Sequence, residues 1–162
     1  MTSLLTYLCA DTAAEAMEFY AKAFGAEEVY RLTLPDGRIP HAEMKVGDSL
    51  LMVCDEVPNE GVYSPKKLGG VSMQLTIDVP DVETFDALWA RATSMDGIDI
   101  EREVGDRFYG RRSGVFRDPF GHRWTISVVI EHVTPEEMQA LIAKEAQLRM
   151  PKERRRTTHM DE

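Results

Sequence analysis

Two groups of residues in this sequence have the types and spacing to do chemistry. His41 and Glu43 stand two apart in His41-Ala42-Glu43-Met44-Lys45-Val46. In a strand that spacing turns both side chains to one face, with Lys45 beyond them and Ala42, Met44 and Val46 on the other. An imidazole that titrates near neutrality beside a carboxylate can serve as an acid and base pair, or hold a ligand by hydrogen bonds. The same pair is also an ordinary cross-strand polar contact. The second group is Tyr109-Gly110-Arg111-Arg112, closed by Gly114. Guanidinium groups on a glycine-bearing segment suit an anionic or polar planar ligand, and equally suit salt bridges to acidic surface.

Other chemistries lack their parts. The two cysteines, Cys9 and Cys54, lie in apolar runs and read as small buried thiols. His122 follows a turn glycine and reads as a turn-stabilising polar residue, while His132 and His159 show no ligand spacing. There is no glycine-rich phosphate loop, no Cys-x-x-Cys and no nucleophile elbow. A net charge of −9 over 162 residues argues against a nucleic-acid partner and allows a neutral or cationic small ligand. No leader-like segment and no membrane-length apolar run is present, so the chain reads as soluble, cytoplasmic and without a membrane partner.

The elements that must position these residues follow from periodicity. Leu4 to Cys9 reads as a strand. Ala16, Phe19, Tyr20 and Ala23 recur at helical spacing, and Gly25 supplies the stop. Three strands follow, Glu28 to Leu34, His41 to Val46 and Ser49 to Cys54, joined by the turns Pro35-Asp36-Gly37 and Gly47-Asp48. The order repeats in the second half. Val71 to Val79 alternates as a strand, and Asp81 caps a helix with Phe85, Leu88, Trp89 and Ala92 on one face. Strands over Ile98 to Val104, Ser113 to Arg117 and His122 to Val129 complete it. Thr134 and Glu137 form a capping box around Pro135, predicting one more helix.

The expected architecture is therefore α+β, two tandem βαβββ modules with a C-terminal helix. The expected boundaries are 1–55 for the first module, 56–70 for a linker loop and 71–130 for the second module. A helix over 131–148 and a basic, disordered tail over 149–162 complete the chain.

Paired modules of this kind, Phe19-Tyr20 followed by Phe24-Gly25, and Asp118-Pro119-Phe120-Gly121-His122-Arg123-Trp124 before the last strand resemble the vicinal oxygen chelate superfamily. That superfamily includes glyoxalase I, bleomycin-resistance proteins and extradiol dioxygenases. Pro35-Asp36-Gly37, His41-Ala42-Glu43, Gly47-Asp48-Ser49, Tyr109 to Arg112 and Thr134 to Met138 resemble its PhnB-like branch. The resemblance implies a cleft in which four side chains, His, Gln or Glu, hold a divalent ion in the metalloenzymes. It also implies a homodimer. Carried over residue by residue, the four positions fall on Leu5, Leu51, Gln74 and Thr125.

Two aliphatic residues cannot ligate, and a carboxamide with a hydroxyl is a poor set for a catalytic divalent ion. The resulting expectation is a small-molecule-binding protein without a metal or other cofactor. Its ligand, an organic molecule, would be held by His41, Glu43, Gln74, Tyr109, Arg112 and Thr125. His41 and Glu43 are the only catalytic candidates. The alternatives are a metal-dependent lyase, isomerase or dioxygenase with a non-standard set such as His41, Glu43 and Gln74, and an interaction protein with a vestigial cleft.

Overall fold

The computed structural model describes Thr2 and residues 4–149. Its elements run β1 (Thr6–Ala10), α1 (Ala13–Phe24), β2 (Glu27–Leu32), β3 (His41–Val46), β4 (Ser49–Asp55) and α2 (Pro65–Leu68). They continue with β5 (Gln74–Val79), α3 (Val82–Thr93), β6 (Asp99–Arg107), β7 (Arg111–Arg117), β8 (Arg123–Val129) and α4 (Pro135–Arg149). Two four-stranded sheets form, in the orders β1-β4-β3-β2 and β5-β8-β7-β6. The orders are the same, and in each sheet the first strand of the module pairs in parallel with its last. The fold is thus α+β with tandem modules, and the repeat is written in the topology even where the residues have diverged.

Each sheet buries one face against its own helix. Leu8, Ala10, Leu51 and Val53 face α1, whose Ala16, Phe19, Tyr20 and Ala23 are buried at helical spacing. Phe85, Leu88 and Ala92 of α3 do the same for Trp124, Ile126 and Val128. The two helix layers merge into one core. Tyr20 and Phe24 stack at 5.7 Å, and Phe24 lies 4.7 Å from Trp124 of the other module. Arg91 of α3 donates to the Ala23 carbonyl near the end of α1 at 2.9 Å, where a helix needs a donor.

Several boundaries differ from the sequence reading. The strand expected from Val71 begins at Gln74, leaving Met73 exposed. Residues 56–70 are not a featureless linker: a single 3-10 turn over Pro58–Glu60 and the short α2 occupy them. Glu56 accepts from the Ser64 amide and hydroxyl, and Ser64 caps α2, so polar side chains supply the order that periodicity does not show. The capping box of α4 forms, with Thr134 N donating to Glu137 and Glu137 N to Thr134 Oγ1. Of the tail expected over 149–162, Arg149 ends α4 and the rest lies outside the described residues.

Gly110 and Gly114 are set by packing. A Cβ on Gly114 would sit 2.4 Å from the Trp89 ring, and one on Gly110 would sit 2.2 Å from the Glu131 carbonyl oxygen. Both glycines admit close packing. Gly114→Ala is therefore expected to cost about 1–3 kcal/mol through overpacking. Thermal denaturation should show a Tm lowered by roughly 5 °C.

Candidate functional site

The faces turned away from the helices carry the chemistry. On the first sheet, Tyr7 and Cys9 of β1 stand beside Met52 and Cys54 of β4. His41 and Glu43 of β3 share this open face, as their spacing demands. Tyr7 donates to the Pro40 carbonyl at 3.2 Å, and its hydroxyl oxygen lies 2.9 Å from His41 Nδ1. Tyr30 donates to Glu43 Oε1 at 3.1 Å, and the same oxygen is 3.5 Å from His41 Nε2. Burial, followed by the neighbouring Cys54, pushes the Tyr7 phenol up to about 12, so it stays protonated. The half-buried group is a string of hydroxyl, imidazole and carboxylate. It can bind a polar group or exchange a proton with one.

On the second sheet the buried residues Ser113, Val115, Thr125 and Ser127 form the floor of the open face. Arginines stand over it. Arg111 donates to Asp78 and to Ser127 Oγ. Arg123 bonds Glu101 and Gln74 Oε1, and Arg117 bonds Glu101. These three cations are matched by carboxylates. Arg102 and Arg107 both reach Ser113 instead, at 3.2 Å and 3.4 Å to its Oγ.

The open faces meet at the seam between β1 and β5. A cavity of about 250 Å³ there is lined by Tyr7 and Cys9 from one module and by Met73 and Arg123 from the other. Tyr63, Leu68 and Gly70 of the intervening segment wall it, so that segment belongs to the site. His122 fastens the seam. Its Nε2 donates to the Cys9 carbonyl at 3.0 Å, across the two modules. A larger cavity, about 660 Å³, lies toward the helices and is lined by Phe24, Leu51, Leu75, Leu88 and Trp124 together with polar residues that include Asp78 and Arg91. Neither the string of Tyr7, His41 and Glu43 nor Arg123 lines it.

His122 also makes stability depend on pH. Burial lowers its pKa below the ordinary 6.5, against the raising effects of Asp118 and the Cys9 carbonyl. The folded chain keeps the imidazole neutral while the unfolded chain takes a proton near 6.5. Its contribution is full above that value and is lost as the pH falls from 6.5 toward the lower folded pKa. Denaturant titrations at pH 7.5 and 5.5 should show the acid loss, and His122→Gln, which keeps a donor, should flatten it.

A model of the glyoxalase/bleomycin resistance protein/dioxygenase superfamily matches residues 4–126. The chain belongs to that superfamily. An uncharacterized protein of Mycobacterium bovis is 34% identical over 146 residues, which cover 88% of this chain and 93% of that protein. The crystal structure of TioX from Micromonospora sp. ML1 is similar at 25% identity and TM-score 0.59, covering 82% of this chain and 100% of that one. The PhnB protein of Bacillus cereus shares the fold at 21% identity and TM-score 0.62, covering 79% and 100%.

Superfamily metalloenzymes place a divalent ion among the open faces, and the residues here do not fit one. Leu51 is corrected first: it lies in the core against α1, and the residue of β4 on the open face beside Tyr7 is Met52. A one-residue step exchanges faces. Leu5 precedes β1 and is exposed, and the Gln74 oxygen accepts from Arg123 at 2.7 Å. Thr125 is buried on the floor. Among the described residues no three His, Cys, Asp or Glu side chains come together.

Arg112 is the second correction. It alternates with Gly114 and Phe116 on the helix side of β7, where it pairs with Asp106 at 2.8 Å, so it cannot face His41. Tyr109 lies in the turn before β7, its ring against Phe108 at 5.2 Å. The face holds Arg111 instead. Sequence reasoning also missed Tyr7, Tyr30, Arg102 and Arg107. For Tyr7, alternation in β1 could have signalled the face, but no spacing tied it to His41.

Proposed function

We propose that this superfamily member binds a small organic molecule at the seam of its open faces, without a divalent ion. The observation that carries this reading is the cavity where Tyr7, tied to His41 and Glu43, faces Arg123 across the two modules. It is concave, partly apolar through Met73 and Leu68, and has few polar groups, the usual makeup of an organic ligand site. His41 and Glu43 orient the ligand by hydrogen bonds. The homodimer of the family resemblance is part of the same reading.

The metal-dependent alternative would need His41, Glu43 and Gln74 together. Gln74 stands on the other sheet with its oxygen engaged by Arg123, which disfavours that set. A thermal-shift screen of metabolites and antibiotics, run with and without a chelator, tests the proposal. Hits unaffected by chelator, and weakened about tenfold or more in His41→Ala, are expected from the loss of a half-buried polar contact. No hit across a broad screen would favour a vestigial cleft.

A further inference from the structure

The ligand reading leaves open the charge of the molecule, and the second sheet addresses it. Arg102 and Arg107 differ from the other arginines of this face. Neither has a carboxylate within ion-pair distance among the described residues. Their protein partners are neutral: Ser113 Oγ for both, with the Glu103 and Ser113 carbonyls for Arg107 at 2.8 Å and 3.0 Å. Two full positive charges therefore converge on one hydroxyl at the edge of an acidic protein.

An independent observation lies on the floor beside them. Thr125 is 5% exposed, and its Oγ1 is a buried side-chain atom with no hydrogen-bond partner among the described residues. A buried hydroxyl without a partner costs about 1–3 kcal/mol. Thr125 stands opposite Val115, and Val115 opposite Arg102, so one row of the open face runs from Arg102 to Thr125 across three strands. Adjacent strands are about 4.8 Å apart. The long Arg102 side chain and the Thr125 hydroxyl thus belong to one row of the open face.

We propose that Arg102, Arg107, Ser113 and Thr125 form a receptor for the oxyanion of the organic ligand, a carboxylate or a phosphoryl-type group. This rests on the ligand-binding reading above and replaces the cationic ligand that net charge alone allows. Guanidinium forks match the geometry of such groups, and the hydroxyls supply the short-range contacts. Asp106 acts on Arg107 electrostatically without pairing to it, and carboxylates farther off are screened beyond about 8–10 Å, so the local arrangement of cations decides.

The test is nuclear magnetic resonance titration of the full chain with phenylphosphonate, benzoate, benzyl alcohol and benzylammonium. Saturable shifts on β7 and β8 are expected from one or both anions, the pair separating phosphoryl-type from carboxylate ligands. Arg102→Gln with Arg107→Gln should weaken that binding tenfold or more, whereas Arg112→Gln, on the helix side, should leave it unchanged. Thr125→Val removes the unpartnered hydroxyl at nearly constant shape. It should raise Tm by roughly 2–4 °C while weakening the anion severalfold.

Equal anion binding in the double variant or in Thr125→Val would overturn the assignment. So would benzyl alcohol or benzylammonium occupying the seam in preference to the anions, which would leave the ligand-binding reading standing. Failure of compounds of every charge to perturb the open faces would remove both.

Discussion

Replacing Asp118 with alanine is expected to lower stability by about 4 kcal/mol, a large part of what a domain of this size possesses. Asp118 is buried in the turn before β8, and four donors converge on it. Its Oδ1 accepts from the amides of Phe120 and His122, both at 2.9 Å. Its Oδ2 accepts from the Tyr20 hydroxyl at 2.9 Å and the Trp124 indole at 2.8 Å. Tyr20 belongs to the first module and Trp124 to the second, so one carboxylate joins α1 to β8. Burial, with Asp118 adding to it, holds the Tyr20 phenol well above its ordinary 10.0 and keeps it a donor.

Alanine would strand all four donors inside the core. Each costs about 1–3 kcal/mol unpaired, with partial relief from water or relaxation. Asp118→Asn should be intermediate, because its oxygen can still serve the two backbone amides while its NH2 cannot accept from the Trp124 indole. Urea unfolding followed by tryptophan fluorescence measures the difference. A change below about 1 kcal/mol for alanine would mean that the turn does not hold the modules together.

The second large effect is a silence. Cys9 and Cys54 stand side by side on β1 and β4, and Cys9 lines the seam cavity. Burial, and then the adjacent Cys54, push the Cys9 thiol from 9.0 up to about 12, and burial raises Cys54 as well. Only the thiolate is nucleophilic. At pH 8 an ordinary thiol at 9.0 is about one-tenth ionised, whereas one at about 12 is ionised in roughly one molecule in ten thousand. Alkylation of Cys9, followed by peptide mapping, should therefore be about a thousandfold slower in the native protein than in denaturant. Native reactivity within tenfold of the denatured rate would show that Cys9 is a reactive thiol and bring it into the site.

Much of the fold was legible because it follows local rules. The apolar spacing of Ala16, Phe19, Tyr20 and Ala23, the Asp81 cap and the Thr134 capping box each describe a physical contact made within a few residues. The superfamily membership expected from the Asp118 to Trp124 segment and the paired modules holds over residues 4–126. Such membership fixes a scaffold and leaves the chemistry to the site.

The site was less legible, for reasons that particular residues show. His41 and Glu43 share a face because β3 is regular between them. Arg102 and Arg107 are five apart, which in a regular strand places them on opposite faces. Register shifts between Ile100 and Arg102, and between Arg102 and Gly105, bring both guanidiniums onto Ser113. No periodicity reveals a bulge. Arg112 misled in the opposite way, since a strand beginning at Arg111 sends it to the helix side. The Asp118 carboxylate meets Tyr20, 98 positions away, and that contact has no sequence signature.

Elemental analysis of protein purified without chelator, paired with ligand titration before and after chelator treatment, tests the metal-free cleft most directly. Only substoichiometric manganese, iron, nickel and zinc, with ligand binding unchanged by the chelator, is the expected result. One equivalent of a single divalent metal, lost together with ligand binding in His41→Ala or Glu43→Gln, would contradict it.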